Sequence, residues 1–178
     1  MKTWHLISIL LLAVVGAACD QIVAPEAAMP EAASLAAAQA SPHALATGTF
    51  DQLVITGLDV RSVGPNTVLE QTSTGTVSGT LSGSYEDDIK VVIHPNGNFN
   101  AKFTITCQCT VGEKVGTLEF VATDRGRLVS PTLATFEGRA VITGGSGELS
   151  DLRGVLAIEG SIDLQTGLST YSYSGRIH

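Results

Sequence analysis

The sequence predicts an all-β protein, a single eight-stranded antiparallel up-and-down β-barrel after an unstructured N-terminal segment. Three observations support this fold class. After residue 47, apolar and polar residues alternate along several runs, as they do in strands with one buried face. Turns rich in Gly, Pro, Asn and Asp separate the runs. No separation is long enough for a crossover helix, which excludes parallel neighbours.

The clearest predicted strand covers residues 99–111, where Phe, Ala, Ile, Cys and Val alternate with Asn, Lys, Thr and Gln. An apolar run at residues 89–93 precedes it and ends at His-Pro-Asn-Gly-Asn, residues 94–98. Asn-Gly is typical of tight hairpins because both residues tolerate positive φ. We therefore expect these two strands to be adjacent and antiparallel.

Further alternating runs bring the total to about eight strands. They cover residues 50–60, 67–74, 77–85, 115–123, 132–142, 154–164 and 169–177, with turns predicted at 64–66, 112–113, 124–126, 144–147 and 165–167. Such strands form either a sandwich or a barrel. Glycines within the strands favour the barrel, because a closing sheet bends at them and closure leaves no free edge.

Residues 1–18 are typical of a signal peptide. Lys2 gives a positive start, and the apolar run at 6–18 is too short to span a bilayer. The small residues before Cys19 resemble the signal of bacterial lipoproteins, in which the cysteine is linked to diacylglycerol and becomes the mature N-terminus. Gly16 departs from that pattern, where a bulky aliphatic residue is usual. The alternative is an ordinary signal peptide cleaved beside Cys19, which then carries no lipid.

Residues 19–46 predict a lipidated tether. The segment is rich in Ala, contains three prolines and has few large apolar residues that would dock it on a core. Acylated Cys19 would make membrane lipid a partner and place the protein in the cell envelope. Asp20 resembles an inner-membrane retention signal of enteric bacteria, so the choice between inner and outer membrane stays open.

The charge of the chain argues against a nucleic-acid partner. The formal net charge is −7 and no basic stripe exists, whereas phosphate binding depends on clustered Lys and Arg. Only 15% of the residues are charged. Together with the abundant Gly, Ser and Thr, this composition favours short strands joined by turns.

Residues 144–154 read Gly-Gly-Ser-Gly-Glu-Leu-Ser-Asp-Leu-Arg-Gly. They resemble the Gly-Gly-Thr-Gly, hydrophobic, Arg-Gly segment of the allene oxide cyclase and dirigent barrel superfamily, including its uncharacterised bacterial members, a domain of unknown function. Residues 46–50 and 171–177 add to the likeness. The resemblance implies a barrel domain at 47–178 whose apolar interior binds a small hydrophobic molecule and, in plant relatives, guides a cyclisation or radical coupling. It implies no catalytic residues here, and lipocalin-like and avidin-like barrels are the alternative folds.

Six aromatic residues are candidates for lining a ligand pocket. They are core residues first, and they contact a ligand only if the barrel keeps a cavity. The six are Phe99, Phe103, Phe120, Phe136, Tyr171 and Tyr173.

Cys107 and Cys109 lie two residues apart on one predicted strand. In a regular strand their Cα atoms would be roughly 6.6 Å apart, at the far edge of disulfide geometry. We expect two buried free thiols. A local disulfide at a bulge is the alternative, and metal binding has less support because no second ligand pair follows at the right spacing.

The charged residues in the predicted strands are expected on the outer face, opposite in phase to the apolar residues. They are Glu119, Glu137, Arg139 and Glu159. An interior carboxylate beside an Arg would instead be a candidate acid or base. The acidic run at 86–88 is expected to form a solvated turn, because its side chains would alternate in direction on an extended chain.

The four histidines, at positions 5, 43, 94 and 178, fall outside the predicted strands. We therefore expect no catalytic residues, no metal site and no cofactor. His94, at a hairpin, is the histidine best placed to touch a ligand.

The sequence thus predicts an exported, membrane-anchored lipoprotein. Its barrel is expected to be non-enzymatic and to bind a small hydrophobic ligand or a protein partner. The main alternative is a cyclase or isomerase that positions a flexible apolar substrate inside the barrel. A purely structural envelope component would need no cavity.

Overall fold

The computed structural model describes residues 43–178. Each strand pairs with the next in sequence and the last pairs with the first, so the sheet closes into a barrel. The predicted all-β, eight-stranded antiparallel barrel is confirmed. Residues 1–18 and Cys19 lie outside the described residues. The strands are β1 (Ala44–Val63), β2 (Asn66–Gly79), β3 (Leu81–Ile93), β4 (Asn98–Val111), β5 (Lys114–Ser130), β6 (Leu133–Gly147), β7 (Gly154–Asp163) and β8 (Ser169–Ile177).

Three segments predicted as turns are strand, so these predictions are wrong. Residues 86–88 lie within β3, residues 124–126 within β5 and residues 144–147 at the end of β6, whose turn follows at 148–153. The β2–β3 turn falls instead at Thr80, whose amide donates to the Thr47 carbonyl at 2.9 Å. Gly79 precedes it with φ of 105°, a conformation that favours glycine. Asp is disfavoured in strands by propensity, but pairing on both sides in a closed sheet overrides that preference.

β1 begins at Ala44, inside the segment that composition assigns to the tether. Ala46 is fully buried and shares its face with Phe50. The alternation therefore starts earlier than residue 47. Because its first members are Ala and Gly, composition alone gives no sign of it.

The end of the β1–β2 hairpin extends beyond β8. β1 pairs with β8 only as far as Asp51, and its residues 52–63 pair with β2 alone. Register shifts at Gln52/Val54 and Ile55/Gly57 mark the point where β1 leaves β8. Such bulges bend a strand and increase its twist. The inner face of the hairpin end is consequently open to solvent.

The barrel has a closed end and an open end. The closed end carries the chain start and the turns at residues 80, 112–113 and 148–153, and the open end, here called the mouth, carries the turns at 64–65, 94–97, 131–132 and 164–168. The closed half is packed with aromatic rings.

Phe50 stands at the centre of this aromatic packing. Its ring stacks on Tyr171 with centroids 5.1 Å apart and meets Tyr85 and Tyr173 edge-on at 5.3 and 5.4 Å. The Tyr173 hydroxyl accepts a hydrogen bond from the Leu81 amide at 2.9 Å. Edge-on and offset rings add to the stability that burial provides. The interior is therefore filled on this side.

Cys107 and Cys109 form a disulfide, so the prediction of free thiols is wrong. Their Cα atoms are 5.3 Å apart, well within the range that disulfides span. Strand β4 keeps its register with both neighbours here. A regular extended strand would hold these Cα atoms farther apart, so β4 is locally shortened at this point.

Candidate functional site

A cavity of about 360 Å³ opens at the mouth of the barrel. Side chains from all eight strands and from the β7–β8 turn line it. Most of them are aliphatic or aromatic, and the polar exceptions on the strands are Gln52, Gln71, Asp124 and Ser169. A mainly apolar cavity with a few polar groups is the usual form of a small-molecule site.

The six predicted lining residues divide between the two halves of the barrel. Three of them line the cavity, namely Phe99, Phe103 and Phe136. The other three are buried in the closed half, namely Phe120, Tyr171 and Tyr173. Phe136 connects the two groups, because its ring meets Tyr171 edge-on at 5.9 Å. Ligand contact by any of the six stays a prediction.

Asp124 is the most unusual polar group of the cavity wall. It is 6% exposed, and neither carboxyl oxygen has a hydrogen-bond partner in the protein. It also takes no part in the salt bridges of the described residues. Burial raises the pKa of Asp124 to about 7, because an ionised carboxyl loses its hydration there. Such a group is free to accept a hydrogen bond from, or donate one to, a molecule in the cavity.

A second interior carboxyl, Asp87, has in contrast a hydrogen-bond partner on one of its oxygens. Ser73 donates to Asp87, and Ser73 accepts from the side-chain amide of Gln52. The Gln52 carbonyl oxygen accepts from the Ser169 backbone amide at 3.0 Å. Burial raises the pKa of Asp87 to about 6, against the opposing effect of the Ser73 hydrogen bond.

This hydrogen-bonded chain links β1, β2, β3 and β8 at the place where β1 leaves β8. Because β1 has already left β8 at this point, the Ser169 amide of β8 finds its acceptor in the side chain of Gln52. Its role is therefore to hold the barrel closed beside the cavity.

Two tyrosine hydroxyls, of Tyr85 and Tyr171, are buried next to each other and have no other hydrogen-bond partner in the described residues. Burial raises the pKa of both phenols, and the charge of Asp87 adds to the effect. Both stay protonated at neutral pH and remain potential donors.

Sequence reasoning located the outer charges but missed the inner ones. Glu119, Glu137, Arg139 and Glu159 are exposed on the outer face, as predicted. Asp87 and Asp124 were assigned to turns instead of the interior. The signal was present in the phase of the alternation, because Asp87 follows Tyr85 by two residues and Asp124 follows Ala122 by two.

His94 lies at the β3–β4 turn and is engaged on both ring nitrogens. Nδ1 lies 3.1 Å from the Asn66 side-chain oxygen, and Nε2 lies 3.1 Å from the Asn100 side-chain nitrogen. A neutral ring that donates from Nδ1 and accepts at Nε2 satisfies both contacts. His94 thus joins neighbouring parts of the mouth and does not line the cavity.

Within residues 43–178, no three His, Cys, Asp or Glu side chains converge as they would around a metal ion. The same part of the chain contains no helix of the length and apolarity needed to cross a membrane.

Two solved structures are similar to the chain. The pterocarpan synthase dirigent protein PsPTS1 is 17% identical over 76% of this chain and 94% of its own, with a TM-score of 0.49. The pterocarpan synthase dirigent protein GePTS1 is 19% identical over 76% of this chain and 88% of its own, with a TM-score of 0.47. No protein-family model and no curated protein sequence matches the chain. Residue roles are not carried over from these proteins, and kinship with allene oxide cyclases or with the bacterial members stays a prediction.

Proposed function

We propose that the barrel binds one small, largely apolar molecule that bears a hydrogen-bonding group. The observation that supports this function is the Asp124 carboxyl, buried and unpartnered in the apolar wall of a cavity that opens to the outside. A buried polar group without a partner costs roughly 1–3 kcal/mol. A ligand whose hydroxyl or amine meets Asp124 would recover that cost.

The size and lining of the cavity limit the ligand. At about 360 Å³ it lies at the small end of ligand pockets, which range over roughly 300–1,000 Å³. Phe99, Phe103 and Phe136 provide flat apolar surfaces. They suit a compact molecule with a ring or branched hydrocarbon, and Asp124 would select for one polar group on it.

Ligand binding is tested first with N-phenyl-1-naphthylamine, an apolar dye with one N–H donor. Wild-type protein should bind it saturably, with an increase in fluorescence. Ala101→Phe fills the cavity beside Asp124 and should abolish the increase, whereas the exposed variant Ala157→Phe should leave it unchanged. Equal signals from both variants would locate the dye elsewhere and remove the proposal. The natural ligand would be sought by mass spectrometry of the extracted native protein.

We further propose that the barrel is displayed outside the cytoplasm on a lipidated Cys19. The signal-like sequence before Cys19 supports this localisation, and so does the Cys107–Cys109 disulfide, since disulfides persist mainly in oxidising compartments. Mass spectrometry of the membrane-extracted protein should find Cys19 acylated at the mature N-terminus. An unmodified Cys19 at the mature N-terminus would contradict it.

A cyclase or isomerase is the second candidate function, and the pKa of Asp124 near 7 favours it. A general acid or base works best when its pKa is close to the working pH. The apolar wall would position a flexible substrate for proton transfer at this carboxyl. The binding function and the enzymatic function are distinguished by incubating the co-purified molecule with fresh protein. Conversion that Asp124→Asn abolishes indicates an enzyme, and unchanged recovery indicates a binding protein.

A further inference from the structure

The mouth of the barrel carries exposed apolar side chains around the cavity opening. Six exposed aliphatic residues from β1, β5, β6 and the β7–β8 turn stand there, between 38% and 59% exposed. We call them the mouth rim and propose that the rim docks on a lipid bilayer, so that the cavity opens onto the lipid phase. The six are Leu58, Val60, Leu128, Val129, Leu133 and Leu164.

The turns at the two ends differ in charge in the way that such docking requires. The four mouth turns, at 64–65, 94–97, 131–132 and 164–168, contain no Asp, Glu, Lys or Arg. The turns of the closed end carry Glu113, Glu148, Asp151 and Arg153. Charged side chains are expensive to bring into a bilayer. The mouth is therefore the end that a hydrocarbon boundary would accept.

The charges nearest the rim are already engaged or face away from it. Asp59 and Arg61 alternate with Leu58 and Val60, and they pair with each other on the outer face at 2.6 Å. The carboxylate of Asp163 accepts a hydrogen bond from the Gln165 amide at 2.8 Å. The inner face of the β1–β2 hairpin end thus presents apolar and uncharged polar side chains beside the opening.

The rim and the cavity share side chains. Leu58, Leu128 and Leu164 belong to both. An apolar molecule could therefore pass from a bilayer into the cavity along a continuous apolar surface. Half of the twelve exposed large apolar side chains of the described residues lie at this rim, and large exposed apolar patches mark interaction sites.

A lipid surface fits the rim better than a protein does. Protein interfaces depend on Trp, Tyr and Arg anchors, whereas the rim consists of Leu and Val around an opening. The net charge of −7 gives no attraction to anionic lipids, so the docking is expected on neutral, zwitterionic lipid and should be insensitive to salt. His43 follows Cys19 by 24 positions, which gives a chain held at Cys19 a reach of roughly 80 Å. The docking itself requires neither a bound ligand nor a lipidated Cys19.

The test uses the two ends of one strand. Val129 at the mouth and Val115 at the closed end both lie on β5 and are 53% and 58% exposed. Full-length Val129→Trp and Val115→Trp proteins, each also carrying Trp4→Phe, are reconstituted into phosphatidylcholine vesicles containing acyl-brominated lipid. Emission from Val129→Trp should shift to shorter wavelength and be quenched, and emission from Val115→Trp should not change.

Two results would overturn the docking. One is equal quenching at both ends, and the other is quenching at neither. If lipid quenches neither variant but Val129→Trp emission shifts with protein concentration in the absence of lipid, the rim binds protein instead of a bilayer. Far-UV circular dichroism verifies that both variants fold. Dye binding to the cavity is measured on the same protein preparations before lipid is added, so a failure of docking is distinguished from a failure of ligand binding.

Discussion

Asp124 and Gly138 face each other across the β5–β6 ladder, and the carboxyl of Asp124 occupies space that a side chain at Gly138 would need. The missing side chain at Gly138 thus makes room for a buried carboxyl. A side chain there would also meet the carbonyl oxygen of Thr123, which cannot move without disturbing the sheet.

Gly138→Ala is expected to destabilise the protein by about 1–3 kcal/mol, because overpacking forces neighbouring groups to shift. It should also weaken dye binding by displacing Asp124. Gly144→Ala on the same strand is the control, since its new side chain would meet only the flexible end of Glu119. Urea unfolding of both variants measures the difference. Equal stabilities would mean that the space beside Asp124 is not tightly filled.

The raised pKa of Asp124 predicts a stability that depends on pH. Its pKa rises from 3.8 to about 7 on folding, so between these values the folded protein binds a proton that the unfolded chain has released. The stability that Asp124 contributes is present below about pH 4 and is lost as the pH rises through about 7. The loss is on the order of a few kcal/mol. Asp87, with a pKa of about 6, acts in the same direction.

Asp124→Asn should therefore reduce the fall in unfolding free energy between about pH 5 and pH 8 without abolishing it, because Asp87 remains. Chemical denaturation at both values checks this. Asp151→Asn, in the exposed turn at the closed end, is the control and should behave as wild type. An unchanged pH dependence in Asp124→Asn would show that this carboxyl is hydrated in solution.

The parts of the fold that the sequence could predict are those in which the inward residues are large and apolar. Residues 99–111 are the clearest case, because Phe99, Phe103 and Ile105 make the alternation plain. The alternation was harder to see at Ala46, where the inward side chain is small, and at Asp87 and Asp124, where it is polar. Asp and Gly are common in turns, so local composition pointed the wrong way.

The cavity could be anticipated only as a possibility. Whether aromatic side chains fill a barrel depends on how all eight strands stagger, and no single strand contains that information. Tyr85, which was not among the six residues predicted to line a pocket, belongs to the packed half of the barrel. Three of those six residues line the cavity in the open half. The disulfide could not be predicted either, because the Cα atoms of Cys107 and Cys109 lie closer than the spacing of a regular strand allows.

The Cys107–Cys109 disulfide predicts the outcome of a labelling experiment. Alkylation of the denatured, unreduced protein should leave the peptide that contains both cysteines unlabelled, and reduction should add a label to each. Because the closed loop is short, reduction of the wild type should lower the unfolding free energy by only about 1–2 kcal/mol. Mass spectrometry and urea unfolding give the two readouts. Full labelling without reductant would show that the thiols are free.

The hydrogen bonds of Gln52 should stabilise the closed barrel at the place where β1 leaves β8. Gln52→Ala removes the acceptor for the Ser169 amide and the donor to Ser73, so buried polar groups lose their partners. We expect a loss of about 1–3 kcal/mol in unfolding free energy and faster hydrogen exchange at the Ser169 amide. Gln108→Ala is the control, because Gln108 is exposed and its side chain only accepts from Thr117 at 3.2 Å. If the Ser169 amide exchanges at the same rate in both variants, Gln52 does not hold β8 against β1, and closure at this point depends on the bulges of β1 alone.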